Sequence, residues 1–289
     1  MEGLSATSVT GPIHNPYAHG YSAGGSSSGC GRLVATGSVD FAVGCDQGGS
    51  IRIPASACGI VGLKPTWGLV PYTGILSLDA TLDHAGPMAK NVRDCALLLD
   101  VLAGPDGWDD RQPPAELGRQ DGEYLSKVDA ITRLPKEKML DGVKIGILTE
   151  GFEVPDQDEG VVASVRSAVA KFSELGAAVT NVSVPKHKEA PLVWVCSVPL
   201  PSGRTTMLGE SHGRKQLYHT DRSDLIGARL TQAQFDALGP GASNLYVGFL
   251  WVREKYGPKL HGKCLNLLKA ISVCESVYSV LSFVLPLSH

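Results

Sequence analysis

Residues 22–65 read SAGGSSSGCGRLVATGSVDFAVGCDQGGSIRIPASACGIVGLKP, and this stretch decides how the chain folds. It holds two glycine-serine loops, Gly24–Gly29 and Gln47–Ser50. Between them, Cys30–Gly37 predicts a short helix, and Val39–Cys45, branched and aromatic, predicts a buried strand. Glycine serves where backbone turns sharply or approaches another group closely. A helix followed by a strand returns the chain on itself, so Ser50 and the Ser26–Ser28 cluster are expected at one sheet edge. A serine hydroxyl needs a base to become nucleophilic, and its attack needs donors for the oxyanion it creates. Gln47, Gly48, Gly49 and Ser50 offer four successive backbone N–H groups. On the residues alone, a catalytic loop and a structural Gly-Gly turn both stay open.

Working outward, Ile51–Ala57 predicts a helix leaving the Gly-Gly-Ser turn, and Gly59–Leu63 a short buried segment stopped by Lys64-Pro65. Asn91–Ala103 predicts the clearest helix. Val92, Ala96, Leu99 and Leu102 recur at helical spacing, Asn91 caps it with Asp94 three residues on, and Gly104-Pro105 ends it. Pro105–Met139 reads as a long polar surface excursion. Val143–Thr149, Val161–Leu175 and Ala178–Val184 then predict a strand, a helix and a strand, the pattern of a parallel β-α-β unit. Residues 1–21 show no period. Beyond Pro201 the pattern weakens. In the apolar stretch Leu265–Leu287, the clean run Val277–Leu287 is too short for a membrane span of ~20 residues and is read either as a core strand or as a tail.

Composition narrows the class of function. A net charge of −3 without any charge block argues against a nucleic-acid or anionic-membrane partner. The 7 cysteines are scattered and form no C-x-x-C, which points away from disulfide scaffolds and zinc sites and toward a reducing compartment. The first residues, MEGLSATSVT, lack the basic and apolar regions of a signal peptide.

Competing motifs fare poorly. Gly20-Tyr21-Ser22-Ala23-Gly24 matches the G-x-S-x-G nucleophile elbow, but that elbow needs an apolar strand before it, and HNPYAH precedes it here. No G-x-x-x-x-G-K-[ST] supports a phosphate cradle. The histidines form no H-E-x-x-H, and Asp83-His84 beside Gly86-Pro87 reads as a turn with hydrogen-bonded side chains.

The segments SAGGSSSG, CDQGGSIRIPASACGIVGLKPT and DHAGPMAKNVRDCALLLD together resemble the amidase signature family of serine amidohydrolases, and Asp46-Gln47-Gly48-Gly49-Ser50 with the later GLVPYTG looks most like its acetamidase-like and nitrile-pathway members. The likeness covers residues 7–112. It implies an α/β amidase signature fold, a central mixed β-sheet flanked by helices. Residues 1–289 would be one domain: a signature core at 7–112, a surface excursion at 113–140, the β-α-β continuation at 141–200 and a poorly defined remainder at 201–289. By the same resemblance Ser50 matches the acyl-forming nucleophile, and Ser26 the bridging serine behind a cis peptide from Gly25. Gln47, Gly48 and Gly49, with the N–H of Ser50, match the oxyanion hole. Ser27 matches a hydroxyl supporting the relay, and Asp46 with Arg52 a pair that fixes the loop. No metal and no organic cofactor is implied. The implied partner is a small-molecule amide, without nucleic acid or membrane, in the cytoplasm; a homodimer stays open as the assembly.

Two departures qualify the likeness. Ser28 and Cys30 stand where many members have Gly and Ser. More severely, the family's base is a lysine well upstream of the first serine loop, and the first lysine here is Lys64, which matches the separate G-L-K-P-T lysine. The expectation is therefore an incomplete, N-terminally truncated amidase domain. It would belong to hydrolases of carboxamide C–N bonds that use a Ser-Ser-Lys relay, with little or no activity in the chain itself. The alternatives are a non-catalytic fragment or degenerate homologue and, more weakly, an amidotransferase-like subunit.

Overall fold

A computed structural model describes residues 5, 8, 10–112, 123–210, 230–279 and 283–284. The chain divides into two compact units, Met1–Val128 with Val198–Gly257, and Asp129–Ser197 with Pro258–His289.

The first unit holds the two serine loops. Helix α1 (Ser28–Thr36) leads from the first loop and ends at Gly37, whose left-handed backbone lets its N–H reach the carbonyls of Leu33 and Val34. Strand β1 (Phe41–Asp46) brings the chain back, and α2 (Arg52–Ala57) follows the second loop. Pro54 is tolerated in α2 because it lies in the first turn, where its missing N–H has no intrahelical partner to lose. Next come the short strand β2 (Val61–Gly62), β3 (His84–Ala89) and α3 (Val92–Leu102). As expected, Asn91 caps α3 and its side chain accepts from the Asp94 N–H.

Strand β3 corrects the turn expected at Asp83–Pro87. It lies between β1 and β2, antiparallel to both, with Gly44 opposite Gly86 and Asp46 opposite His84. Proline is normally confined to sheet edges. Here the Leu63 N–H donates to Pro87 O at 3.0 Å, so the donor-less nitrogen of Pro87 is turned to the same side, where β2 ends. One sheet face buries Ala85 with Val70, Tyr72, Leu99 and Ala103, and the other buries Met88 with Ile51 and Ala55.

The Pro105–Met139 excursion is also more structured than expected. Asp109 and Arg111 are buried, and α4 (Glu123–Thr132) begins where the Asp100 carboxylate accepts the Tyr124 and Leu125 N–H groups at 2.9 and 3.0 Å. Residues 113–122 of that excursion, and residues 1–4, 6, 7 and 9 of the opening stretch, lie outside the described residues.

In the second unit, β4 (Lys144–Leu148), α5 (Glu159–Glu174) and β5 (Ala178–Val182) form the expected unit, with β4 and β5 parallel. Asp158 caps α5 by accepting the Val161 N–H. Helix α6 (Ala190–Ser197) follows in the same unit. Helices α7 (Pro199–Ser202), α8 (Gln232–Asp236) and α9 (Pro240–Lys255) belong to the first unit, with a π-helical turn at Gly203–Met207 after α7. Helix α10 (Pro258–Ser279) takes up the first part of the apolar stretch Leu265–Leu287, packing Cys264 and Ile271 against Val193 of α6. Strand β6 (Phe283–Val284) pairs parallel with β4. Of the run Val277–Leu287, residues 280–282 and 285–287 lie outside the described residues. Among the described residues no helix is long and apolar enough to cross a membrane.

Candidate active site

The two serine loops meet through backbone. The Ser27 N–H donates to Ser50 O at 3.2 Å, and the Ser27 hydroxyl accepts the Cys45 N–H at 3.2 Å and donates to Cys45 O at 3.3 Å. Ser27, the neighbour of Ser26, is thus stitched both to Ser50 and to Cys45 near the end of β1. Ser26 is exposed at the tip of the first loop, after a cis Gly25–Ser26 peptide, and Ser50 is 9% exposed. Gly24 lets the first loop lie on α2. Its φ is +73°, and a Cβ there would stand 2.9 Å from Cα of Pro54. Ser22 of the G-x-S-x-G match is a loop serine whose hydroxyl accepts the Ser5 and Gly24 N–H groups.

Asp46 holds the second loop. Its carboxylate is fully buried and accepts the Gly49 N–H at 2.7 Å and the Ile51 N–H at 3.2 Å, one residue to either side of Ser50. Arg52 closes the arrangement with a fork, Nε to Oδ2 at 2.9 Å and Nη2 to Oδ1 at 3.0 Å. Burial alone would raise the Asp46 carboxyl, but Arg52 and the two backbone donors outweigh it and hold the group below the usual carboxylate range. Because the Gly49 N–H is committed to Asp46, Gly49 enters the loop as a shaping residue at φ +123°, not as a free donor. Among the described residues, the N–H groups of Gly48 and Ser50 have no acceptor. Of the four successive donors read from the sequence, these two are left without a protein acceptor among the described residues.

Gln47 starts the loop with a buried side chain. Its Nε2 donates to Tyr72 OH and to Asp83 Oδ1, each at 2.9 Å. Asp83 also accepts the Ser77 hydroxyl at 2.6 Å and the Leu78 and Asp79 N–H groups at 3.2 Å. Burial raises the carboxyl of Asp83; burial and the nearby Asp83 raise the Tyr72 phenol. Arg111 donates to Asp83 O, forks onto Asp109 and lies over the Tyr72 ring, while Asp109 accepts the Tyr72 N–H. Asp83, Tyr72, Asp109 and Arg111 were missed as site support in the sequence. The available signal was two aspartates, Asp79 and Asp83, set among apolar residues in SLDATLD.

Lys64 is half-buried, and its Nζ donates to Pro65 O at 3.0 Å; burial, then the charge of Arg52, lowers its pKa. His84 Nδ1 lies 2.7 Å from Leu82 O, and burial, then the Lys64 charge, pushes the imidazole down to about 4. Among the described residues, no three His, Cys, Asp or Glu side chains are grouped to hold a metal ion.

A family model described as Amidase matches residues 1–232. An enantioselective amidase of Rhodococcus rhodochrous is 46% identical over 196 residues, which are 67% of this chain and 35% of that protein. A glutamyl-tRNA(Gln) amidotransferase subunit of Synechococcus sp. is 34% identical over 83% of this chain and 46% of that protein. Among solved structures, a bacterial aryl acylamidase of the amidase signature enzymes superposes with a TM-score of 0.74 at 25% identity, covering 95% of this chain and 50% of that one. The corresponding glutamyl-tRNA(Gln) amidotransferase subunit of Thermotoga maritima gives a TM-score of 0.68 at 26% identity, covering 96% and 54%. The chain therefore spans about half the length, or less, of the relatives it matches.

Proposed function

The chain belongs to the amidase signature family, and from that premise we propose that it carries the nucleophile side of a serine amide hydrolase. The observation that carries this reading is the Asp46 carboxylate, which binds the N–H groups on both sides of Ser50 and leaves those of Gly48 and Ser50 open. Ser50 Oγ would attack the carboxamide carbon, and the carbonyl electron pair would move onto oxygen, facing those two donors. Removing one such donor costs about 3–4 kcal/mol of transition-state stabilisation in known cases. Ser26 would take the proton from Ser50 and pass it toward the leaving nitrogen through a basic group. Ammonia or an amine departs, and water then releases the acid. The substrate is a small amide. The seven cysteines, all free thiols, support a cytoplasmic setting.

Residues 1–63 contain no lysine, so the relay lacks its expected base within this polypeptide. The polypeptide of 289 residues is expected to show little or no amide turnover and slow fluorophosphonate labelling confined to Ser50. Serine-dependent hydrolysis of simple amides, abolished by Ser50→Ala, would overturn the expected inactivity. Labelling that survives Ser50→Ala would overturn the nucleophile assignment.

The match to amidotransferase subunits over 83% of this chain favours one second reading, in which the protein works within a complex on a tRNA-borne acyl group. The higher identity to the Rhodococcus amidase supports the first. Labelling or turnover that rises on adding an aminoacylated tRNA would select the second.

A further inference from the structure

The two ends of the nucleophile loop are held by different means. Asp46 ties Gly49 and Ile51 from beneath. The start of the loop is tied through the Gln47 side chain, which is 5% exposed and spends both Nε2 hydrogens, one on Tyr72 and one on Asp83. Asp83, 1% exposed, is itself fixed from several sides. Ser77, Leu78 and Asp79 donate to its carboxylate, its own N–H donates to Asp79 O at 2.8 Å, and Arg111 donates to its carbonyl at 3.0 Å. The turn beneath it is held in turn by Thr205, whose hydroxyl donates to Leu78 O at 2.8 Å.

We infer that Asp83, acting through the carboxamide of Gln47, is a positioning residue that sets the direction of the Gly48 N–H in the nucleophile loop. Gln47 and Gly48 are consecutive, so fixing the Gln47 side chain restrains the peptide that carries the Gly48 donor. A buried carboxylate that receives a side-chain donor from another segment holds that segment with a charge-assisted bond. The catalytic meaning of this restraint rests on the amide-hydrolase reading above; the restraint itself does not.

The test separates the two. Amide hydrogen exchange, read by mass spectrometry over residues 44–50, reports the restraint through the bonded amides around Gly48, those of Cys45 and Gly49, without any need for turnover. Asp83→Ala, which leaves the Tyr72 bond of Gln47 in place, should speed exchange there roughly tenfold, the equivalent of one lost hydrogen bond, and Gln47→Leu, which loses both bonds, at least as much. Asp83→Asn should stay near wild type. Its Oδ1 still accepts from Gln47, and its Nδ2 can donate to the Ser77 hydroxyl in place of the bond it replaces. Combining Gln47→Leu with Asp83→Ala should add little to Gln47→Leu alone, because Gln47→Leu already breaks the link to Asp83. Exchange unchanged in Gln47→Leu, accelerations that multiply in the double variant, or an Asp83→Asn as fast as Asp83→Ala would each overturn the inference. If Asp83→Ala fails to fold, Gln47→Leu and Asp83→Asn still decide it. Fluorophosphonate labelling of the same variants should slow in the same order; a wild-type chain that labels nowhere would remove the amide-hydrolase reading and leave the exchange result to judge the restraint.

Discussion

Replacing Asp46 with asparagine keeps the shape of the side chain and removes its charge and one acceptor. The carboxylate takes four donors: the Gly49 and Ile51 N–H groups and the Nε and Nη2 of Arg52. An asparagine oxygen in the place of Oδ1 keeps Gly49 and Nη2. Its NH₂ then confronts the Ile51 N–H and the Arg52 Nε, two donors facing a donor. Each lost bond to a charged group is worth about 1.5–3 kcal/mol. Arg52 is left without its partner, but 27% of its side chain is exposed, so water recovers part of that loss. The net destabilisation is about 3–4 kcal/mol, a large share of a typical stability of about 5–15 kcal/mol. Urea unfolding of wild type and Asp46→Asn at pH 7 measures it. The Asp46 carboxyl titrates below its ordinary range, so its contribution is complete above the unfolded pKa and is lost as pH falls through the folded one. The gap between the two proteins should therefore narrow below about pH 4. A loss under about 1 kcal/mol at pH 7, or a gap as wide at pH 3 as at pH 7, would refute the clamp.

Three further outcomes follow from other parts of the structure. His84 is held neutral, titrating at about 4, whereas the unfolded chain binds a proton near 6.5. The unfolded state thus holds more protons between those values, and acidification from about pH 6.5 to pH 4 should cost about 2–3 kcal/mol, allowing for partial exposure; a His84→Gln protein with the same slope in that window would contradict it. Gly86→Ala would drive a Cβ into the Leu63 carbonyl and to 2.7 Å from Pro65 Cδ, costing about 3 kcal/mol in urea unfolding. Gly262→Ala, inside α10 with nothing within 4 Å, should instead stabilise by about 1 kcal/mol; equal effects at both positions would count against the packing described. Arg111→Leu strands the buried Asp109 carboxylate and should cost about 3–5 kcal/mol, visible as a fall in melting temperature, while a change of less than a degree would mean that the pair is not buried as described.

Elements whose determinants are local were legible in the sequence. The Asn91 cap and its Asp94 partner lie three residues apart and mark the start of α3, and the β4-α5-β5 unit announces itself through its periods. The serine loops were legible for the same reason, since their glycines and serines are adjacent. Strand β3 was not legible, because Gly86-Pro87 carries the local mark of a turn; only its pairing with both β1 and β2 makes it a strand. Helix α10 was hidden by reading hydrophobicity as a run. Leu260, Cys264, Leu268 and Ile271 of that helix pack into one cluster with Val193, at spacings of four, four and three. The frame around Gln47 was illegible for a third reason: its partners stand 25 and 36 residues downstream, and no spacing rule links them.

That contrast in distance gives the Asp46–Arg52 clamp a further meaning. Every group that the Asp46 carboxylate binds lies within six residues of it, so the clamp itself is written within the arc from 46 to 52. Such a cassette is portable. A seven-residue graft between a strand end and a helix start in an unrelated scaffold would bring the clamp along, whereas grafting Gln47 as a fixed point would require transplanting the distant segments of Tyr72 and Asp83 with it. For a designer, the economical unit to move is the clamp, and the side chain that steers its first peptide must be rebuilt at the destination.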